Sequence, residues 1–525
     1  MAGSLAASTA VAALPVFVLL YLLGVRRASA WSASLTALGS AALVALFVYR
    51  MPLGTLVSSI AYGAAFGLFP IAWIVFGAIL LYRITVETGH FEILKDSIGN
   101  LTTDRHMQAL LIAFAFGAFI EGAAGFGSPV AVAAAMLAGL GFSPFYAAAI
   151  CLLANTAPVA FGSIGIPVVT LAGVTGLPLN GLSTGIGRIC APVSLIIPAY
   201  LVAVMGGRQA LRRVLPGIAV CGISFSGVQF LVSNFVGPQL TDIFSSLAAI
   251  ASLLILLLMW KPAGAGTGLT AVRSHTPREI LVAWSPFGLL VVFILIWGWQ
   301  PVRQALNDAS VSFPWPGLHN RIERVPPVVS QGAPYAAVYT FNWLSASGTA
   351  CLAAALLSAL LLRMRARKLA GVIAATTRQL TVPMLTIASV LALAFLMNYS
   401  GATATLGLAF AHTGRLFPFF SALLGWLGVF LTGSDTSANA LFGNLQVVTA
   451  TRLGLSPLLM ASANSAGGVM GKMISLQSIA VACAAAGLAR EDESRLFRFT
   501  LRHSVALAAL VGLITVFYAY VGGGV

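Results

Sequence analysis

Long apolar runs separated by short polar gaps dominate this chain of 525 residues. A helix that crosses the hydrocarbon core of a bilayer needs about 20 mostly apolar residues. Ten runs are close to that length, and each predicts a membrane helix. They are residues 5–25, 31–49, 66–83, 188–206, 215–236, 243–260, 281–299, 335–362, 380–397 and 503–521.

Two further blocks, residues 106–182 and 415–489, are apolar but rich in Gly, Pro, Ser, Thr and Asn. Gly and Pro interrupt helices, so each block is predicted to form several shorter segments. Together with the ten runs they give about 12 to 14 membrane-embedded elements. We therefore predict an all-α polytopic membrane protein.

The composition supports this class. Charged residues make up 8% of the chain and the mean hydropathy is +0.97, whereas soluble domains contain about 25% charged residues. The five cysteines are scattered singly through apolar stretches, which predicts neither a disulfide framework nor a metal site. Nucleotide-binding and hydrolase motifs are absent from the sequence. We expect no cofactor and no enzymatic activity.

The formal net charge of +15 predicts an orientation and not a nucleic-acid partner, because the basic residues cluster in short gaps between apolar runs. Basic loops stay in the cytoplasm. Placing the clusters at 26–27, 208–213, 261–278, 363–378 and 490–502 there puts both termini and the long loop 300–333 outside. The mixed-charge stretch 87–105 then becomes a cytoplasmic amphipathic connector, and residues 237–241 lie outside.

The two polar-rich blocks repeat short motifs in the same order. Phe119–Gly122 is echoed by Phe430–Gly433, Gly141–Pro144 by Gly454–Pro457, Ala154–Ala157 by Ala463–Ala466 and Gly176–Leu177 by Gly487–Leu488. On the charge-based count the blocks enter the membrane from opposite sides, which predicts inverted repeats, as in many secondary transporters. We divide the chain into a first half (1–240), linking helices with the external loop (241–334) and a second half (335–525).

Ionisable groups inside the membrane are functional candidates because burying them there is costly. Of the 13 acidic residues, only Glu121 and Asp435 fall well inside apolar blocks. Asp242 starts a predicted helix and is one of the acids expected near helix ends. Lys472 is the only lysine flanked by apolar runs on both sides. A buried ion pair between these groups is the structural alternative to a functional role.

The same blocks contain the ingredients of a small-anion site. The stretches 121–129 and 433–437 favour a helix break followed by a helix start, near Ser128 and near Ser437. Such starts expose N–H groups and the positive end of the helix dipole, which bind carboxylates and phosphates. Side chains that hydrogen-bond a substrate are predicted at the tips of two further broken segments, namely Asn155, Thr156, Asn464 and Ser465. Taken singly, each is as well explained as a hydrogen bond between helices.

At these residues the chain resembles the L-lactate permease family of the bacterial plasma membrane. The resemblance is carried by FIEGAAGFGSPVA (119–131), NTAPVAFGSIGIP (155–167), GWLGVFLTGSDTSANALF (425–442) and GKMISLQSIAVACAAAGL (471–488). It extends over nearly the whole chain, and a short loop at 261–280 is the one departure. It implies a multi-pass inner-membrane protein with proton-coupled uptake of L-lactate, and commonly of D-lactate and glycolate. It also implies an ion-transporter-type fold with re-entrant hairpins and elevator-like alternating access.

From the residues and this resemblance together we predict that half-helix starts near Ser128 and Ser437 hold the lactate carboxylate. Asn155, Thr156, Asn464 and Ser465 lie close by, and Lys472 supplies countercharge. Glu121 or Asp435 carries the coupling proton, because burial favours the neutral carboxylic acid. Asp435 pairing with Lys472 would leave Glu121 as the sole proton site.

Two other functions stay open on the sequence alone. A sodium-coupled carboxylate transporter would use carbonyl groups exposed in broken helices, and a proton-translocating subunit of a redox complex would also bury Glu and Lys. The expected partners are the small-molecule substrates, protons and membrane lipids, with a homodimer possible and no nucleic acid.

Overall fold

The computed structural model describes residues 5–99, 101–125, 127–260, 275–326, 328, 332–489 and 491–522. Most of the basic cluster at 261–278, and with it the short loop at 261–280, lies outside these residues. Pro327 and Arg490 do so as well.

The described chain is almost entirely helical. The first part contains α1 (Leu5–Gly24), α2 (Ala30–Leu43), α3 (Leu53–Phe66), α4 (Trp73–Glu87), α5 (His90–Gly99), α6 (Arg105–Gln108), α7 (Gly117–Ala123), α8 (Ser128–Gly139), α9 (Pro144–Ala154), α10 (Gly162–Thr175), α11 (Leu179–Arg213) and α12 (Leu215–Phe235). The linking part contains α13 (Thr241–Met259), α14 (Pro277–Gly298), α15 (Gln300–Asn307) and the strands β1 (Val311–Pro314), β2 (Glu323–Arg324), β3 (Ala333–Pro334) and β4 (Val338–Phe341). The last part contains α16 (Ser347–Leu361), α17 (Ala366–Ser400), α18 (Ala402–Phe410), α19 (Phe417–Thr432), α20 (Asp435–Leu453), α21 (Pro457–Lys472), α22 (Leu476–Ala486) and α23 (Asp492–Tyr520).

Short π- and 3-10 segments join some of these helices. The π segments are Val44–Val48, Gly67–Ala72 and Ala109–Phe116, and the 3-10 segments are Val159–Phe161 and Ala411–Leu416. As a result α6, the third π segment and α7 form one helical span from Arg105 to Ala123.

Twelve helical spans in the described part are long and apolar enough to cross a membrane, or thirteen if the bent pair α9–α10 counts as one. This confirms the predicted polytopic all-α class. Three predicted runs, 188–206, 380–397 and 503–521, belong to longer helices, Leu179–Arg213, Ala366–Ser400 and Asp492–Tyr520. Three further predictions are also corrected. The run 66–83 is part of a longer broken span, Leu53–Glu87, because Pro70 interrupts it.

The other two corrections concern the external loop. The predicted helix 335–362 begins as strand β4, and only Ser347–Leu361 is helical. The loop 300–333, predicted without a helix, starts with α15. Gln300–Asn307 is a short helix with polar and apolar residues on opposite faces. It contains no apolar run of membrane length, and its helical periodicity is too short to predict a helix.

Most of the echoed motifs occupy corresponding places in the fold. In Gly141–Pro144 and in Gly454–Pro457 the glycine has a positive φ, of 86° and 68°. In each motif the serine then caps the next helix and the proline occupies its first turn. This sequence of residues ends one helix and starts another. The helices α9 and α21 therefore begin with the same local motif.

The second block is held together by backbone contacts at glycines. A Cβ atom on Gly467 would lie 2.1 Å from the Ala422 carbonyl oxygen, and one on Gly471 would lie 2.3 Å from that of Trp426. Only glycine permits this approach of α21 to α19, as in other small-residue helix contacts in membranes. The helix that ends at Lys472 is thereby fixed against α19, whose end forms part of the cavity described next.

Candidate functional site

A cavity of about 290 Å³ lies where the two broken hairpins meet, and we call it the inner cavity. Glu121, Asp435, Ser437 and Lys472 line it, four of the nine predicted site residues. Its remaining walls come from the start of α2, the start of α10, the middle of α17, the break between α19 and α20 and the start of α22. These walls include Ser29, Trp31, Gly162, Ser163, Pro383, Thr386, Gly433, Ser434 and Gln477.

The start of α20 fulfils the prediction of a helix start at the break. Gly433 ends α19 with a φ of 72°, and Ser434 caps α20 by accepting a hydrogen bond from the Ser437 N–H at 3.2 Å. Asp435 is the first residue of the helix and is buried. The positive end of the α20 dipole therefore faces the inner cavity.

Asp435 is held in place by two neutral donors. Its Oδ2 accepts a hydrogen bond of 2.6 Å from Ser465 Oγ and one of 3.2 Å from Asn439 Nδ2. Its Oδ1 has no partner among the described residues. Gly468 leaves space for that oxygen, because a Cβ atom there would lie only 2.4 Å from it.

Lys472 ends α21 at the cavity wall. Its Nζ donates a hydrogen bond of 2.7 Å to the carbonyl oxygen of Gly433. It interacts electrostatically with both Glu121 and Asp435, but among the described ion pairs none joins Nζ to a carboxylate within 4.0 Å. The alternative of a contact ion pair between Asp435 and Lys472 is therefore not what the structure contains.

Glu121 approaches the inner cavity from the other hairpin, near the end of α7. It is 5% exposed, and its Oε2 has no hydrogen-bond partner among the described residues. Gly162 makes room for it, since a Cβ atom there would lie 2.7 Å from Oε1. Asn155 lies beside Glu121, and both polar atoms of that amide are likewise buried and unpartnered in the described chain.

Asp242 is a third acid in this region, and its burial was not predicted from the sequence. It is 1% exposed, and neither of its carboxylate oxygens has a partner among the described residues. Its Cβ lies 2.8 Å from where a Cβ on Gly122 would be, and it interacts electrostatically with Glu121. Its position at a helix start suggested exposure, and only the packing of α13 against α7 shows otherwise.

The other predicted substrate ligands do not line the inner cavity. The chain does break at Asn155 and Thr156, as predicted, but the Thr156 hydroxyl donates to the Leu153 carbonyl oxygen within its own turn. Ser128 starts α8, as predicted, and is half-buried outside the cavity wall.

The prediction that Asn464 and Ser465 lie at a helix break is wrong. The helix α21 is continuous from Pro457 to Lys472, and the break follows at Met473–Ser475. Asn464 Nδ2 donates to Asn439 Oδ1 at 2.9 Å, and its Oδ1 accepts from Gln446 Nε2 at 3.0 Å. The similar sequences around Asn155 and Asn464 therefore have different structures, because Pro158 disrupts the helix after Asn155 and no proline follows Asn464.

Eight polar or aromatic residues of the cavity wall were not among the predicted site residues, namely Ser29, Trp31, Ser163, Thr386, Thr432, Ser434, Thr436 and Gln477. Ser163 has a positive φ of 47° and is followed by Ile164 and Gly165 with φ of 60° and 75°. Its hydroxyl donates to the Ala124 carbonyl oxygen at 3.1 Å, which ties the two breaks of the first block together. Strained, buried backbone of this kind persists where the surroundings enforce it.

The described residues contain no group of three or more His, Cys, Asp or Glu placed to hold a metal ion. The inner cavity instead offers one cation, two carboxylates, a helix N-terminus and several hydroxyl and amide groups. This arrangement suits a small anion that exchanges protons with its site.

Broken helices that meet at a buried, charged cavity within a polytopic helical fold define a membrane permease. The L-lactate permease family matches residues 8–522, and the chain belongs to this family. It is thus a multi-pass protein of the bacterial plasma membrane and a transporter, not an enzyme.

Curated relatives are similar along the whole chain. The L-lactate permease of Bacillus subtilis is 46% identical over 98% of this chain and 96% of its own length. The L-lactate permease of Escherichia coli K12 is 44% identical over 99% and 97%. The glycolate permease GlcA of the same strain is 43% identical, again over 99% and 97%.

Proposed function

We propose that this chain takes up L-lactate together with a proton, and that it also accepts D-lactate and glycolate. The observation that carries this proposal is the cavity lined by Lys472, Glu121 and Asp435. The lactate permeases and the glycolate permease among its relatives support the choice of substrates.

The substrate carboxylate binds between Lys472 and the start of α20. Lys472 has three N–H donors, of which one is used by the Gly433 carbonyl oxygen. The other two, together with the hydroxyl of Ser437 and the N–H groups at the start of α20, are available to the carboxylate. The 2-hydroxyl group of a hydroxy acid finds partners among the cavity hydroxyl and amide groups, such as Thr386 and Gln477.

Glu121 carries the proton. Each of the two acids has one buried oxygen without a donor, but the other oxygen of Asp435 accepts two hydrogen bonds, which favour its ionised form. A carboxylate oxygen without a donor gains most from a proton. Asp435 then stays a fixed anion that positions Lys472 electrostatically.

Charge balance explains why the two fluxes are coupled. With both acids ionised, the three charged groups of the empty cavity sum to one negative charge. A substrate anion alone would raise this to two in a medium where unbalanced charge is costly. One proton for each anion restores the net charge of the empty cavity. The cavity therefore has the same net charge when it is loaded and when it is empty, whichever side of the membrane it faces.

The access route follows from the proposed orientation. Ser29 and Trp31, which line the cavity, follow the basic pair Arg26–Arg27, so the cavity lies towards the cytoplasmic side. The hairpin α7–α8 then enters from inside and α19–α20 from outside, as inverted repeats do. We propose that movement of these hairpins exposes the inner cavity alternately to the two sides.

Radiolabelled L-lactate uptake into proteoliposomes tests this proposal. We expect accumulation under an inward proton gradient in sodium-free buffer, and none after the gradient is collapsed by a protonophore. Accumulation that requires a sodium gradient instead would support the sodium-coupled alternative. The absence of uptake under either gradient would overturn the assignment.

A further inference from the structure

A second cavity, of about 700 Å³, lies further along the same helices, and we call it the outer cavity. Three helices line both cavities, namely α10, α17 and α20. On α17 the inner cavity ends at Ile387 and the outer cavity begins at Phe395. At 1.5 Å per residue this spacing is roughly 12 Å. The two cavities are therefore stacked along one path across the protein.

A packed layer separates the cavities. Leu171 of α10 contacts α20 so closely that a Cβ atom on Gly443 would lie 2.6 Å from its Cδ1. Asn439 Nδ2 donates to the Pro167 carbonyl oxygen at 3.2 Å across the same pair of helices. The outer cavity is thus distinct from the inner one, and part of its wall comes from the loop predicted to lie outside the cell.

Arg324 supplies the cation of the outer cavity. The antiparallel pairing of β2 with β3 places Arg324 opposite Ala333. Tyr335 follows Ala333 by two residues, so it lies close to Arg324. Its guanidinium carbon lies 4.4 Å above the centre of the Tyr335 ring. That ring packs in turn on Tyr399 of α17, with 4.4 Å between ring centres. A cation stacked on a fixed aromatic ring is held in position.

The guanidinium group has a donor to spare. Arg324 Nε is buried and has no hydrogen-bond partner in the described chain. Glu323 is the other charged residue of the described wall; it is exposed, and no ion pair within 4.0 Å joins the two among the described residues. An unpaired guanidinium group with a buried donor favours a carboxylate, which it can bind with two parallel hydrogen bonds.

The remaining wall selects a small monocarboxylate. Asn398 and Asn444 add amide groups, while Phe395, Val447 and Val448 form an apolar side. A short acid would place its carboxylate on Arg324 and its methyl group against these side chains. A dicarboxylate would need a second cation, and the described wall provides none besides Arg324.

We propose that the outer cavity is a second binding site for small monocarboxylate anions, anchored by the Arg324 guanidinium group, where substrate is captured from outside before it reaches the inner cavity. The inference rests on the proposed transport function for its direction, but the binding site itself does not depend on transport.

Kinetics in right-side-out membrane vesicles test the capture step. Arg324→Gln is expected to raise the KM for external L-lactate about tenfold or more and to leave the maximal rate unchanged. Arg324→Lys keeps the charge but loses the bidentate geometry, so its KM should lie between the values for wild type and Arg324→Gln. Arg321→Gln, at an exposed arginine of the same loop, is the matched control and should behave as wild type. Equal KM values for Arg324→Gln and Arg321→Gln would overturn the proposal.

A protection assay tests binding without transport. Ala404 lines the outer cavity, and the five native cysteines are buried. An Ala404→Cys variant is therefore expected to react with the membrane-impermeant reagent sulfonatoethyl methanethiosulfonate from outside. Lactate, glycolate and acetate should slow this reaction, succinate should do so less, and Arg324→Gln should abolish the protection.

The two assays separate this inference from the proposed function. Protection that persists in Arg324→Gln, or no protection by any monocarboxylate, would overturn the outer site even if wild-type vesicles accumulate lactate. Protection that depends on Arg324 in a protein that does not accumulate lactate would support the outer site and contradict the proposed function.

Discussion

Lys472 Nζ donates its 2.7 Å hydrogen bond to the carbonyl oxygen of Gly433, where α19 ends. Carbonyl groups at a helix end lack partners within the helix and carry partial negative charge. Lys472 thus stabilises the break between α19 and α20 while part of its hydrogen-bonding capacity faces the inner cavity. A lysine whose charge is neutralised by a contact ion pair would bind a transported anion less well.

Lys472→Gln should keep the fold and weaken substrate binding. The glutamine amide can still donate to Gly433, but the charge is lost. Hydrogen bonds to charged groups contribute about 1.5–3 kcal/mol, so we expect an increase in the KM for lactate of roughly 10- to 100-fold. Initial uptake rates in proteoliposomes measure this. Lys95→Gln, on the connector helix α5, is the control, and equal effects of both substitutions would remove Lys472 from the site.

Asn464→Ala should lower stability and leave the KM unchanged. The substitution removes the donor to Asn439 Oδ1 and one of the two acceptors of Gln446 Nε2 in a buried network. Each unsatisfied group costs about 1–3 kcal/mol, so the thermal unfolding temperature in detergent should fall. A large rise in KM without a loss of stability would instead support the role predicted from the sequence, direct binding of substrate.

Asp242→Asn should be tolerated by the fold, because neither oxygen of Asp242 has a hydrogen-bond donor to lose. Burial without a donor on either oxygen favours the neutral carboxylic acid, so the substitution replaces one neutral group with another. We expect the pH profile of uptake to coincide with that of wild type, as it should for the control Asp308→Asn in the exposed loop. A shift of half-maximal uptake to lower pH in Asp242→Asn alone would contradict this and would show that Asp242 is ionised beside Glu121.

Asp104 should make stability depend on pH through a contact outside the membrane spans. Burial raises the pKa of its carboxyl group, but hydrogen bonds from His106, from the Met107 N–H and from Arg213 outweigh this and hold the pKa well below its usual value. A depressed folded-state pKa stabilises the protein above the unfolded-state pKa, and this contribution is lost as the pH falls towards the folded-state value.

We therefore expect Asp104→Ala to lower the unfolding temperature at neutral pH, since Asp104 also caps α6. The difference from wild type should shrink in acid, as the wild-type carboxylate becomes protonated. Differential scanning fluorimetry across a pH series measures it. A difference that does not change with pH would mean that the cap and the packing, and not the charge, stabilise this junction.

The sequence predicted those features that depend on local rules. Long apolar runs marked most spans, and the pairs Gly141–Pro144 and Gly454–Pro457 marked corresponding helix ends, because glycine, serine and proline act within a few residues. Glu121, Asp435 and Lys472 were found because charge inside an apolar block is rare.

The rest depended on packing between distant segments. Asp242 is buried by α7, which is more than a hundred residues away in the chain. Asn464 is bound by residues of α20 and not exposed at a break. Arg324 reaches the outer cavity through the pairing of two short strands in a loop that looked irregular. None of these contacts can be predicted from the periodicity or the composition of the sequence.

The central claim, that Glu121 carries the coupled proton, is tested most directly by comparing accumulation with exchange in one preparation of Glu121→Gln. A glutamine keeps the shape of the side chain but cannot release a proton. The account predicts that this variant exchanges internal for external lactate in proteoliposomes but does not accumulate lactate under a proton gradient, whereas Glu92→Gln, at an exposed position of α5, does both. Gradient-driven accumulation by Glu121→Gln at the wild-type level would contradict it.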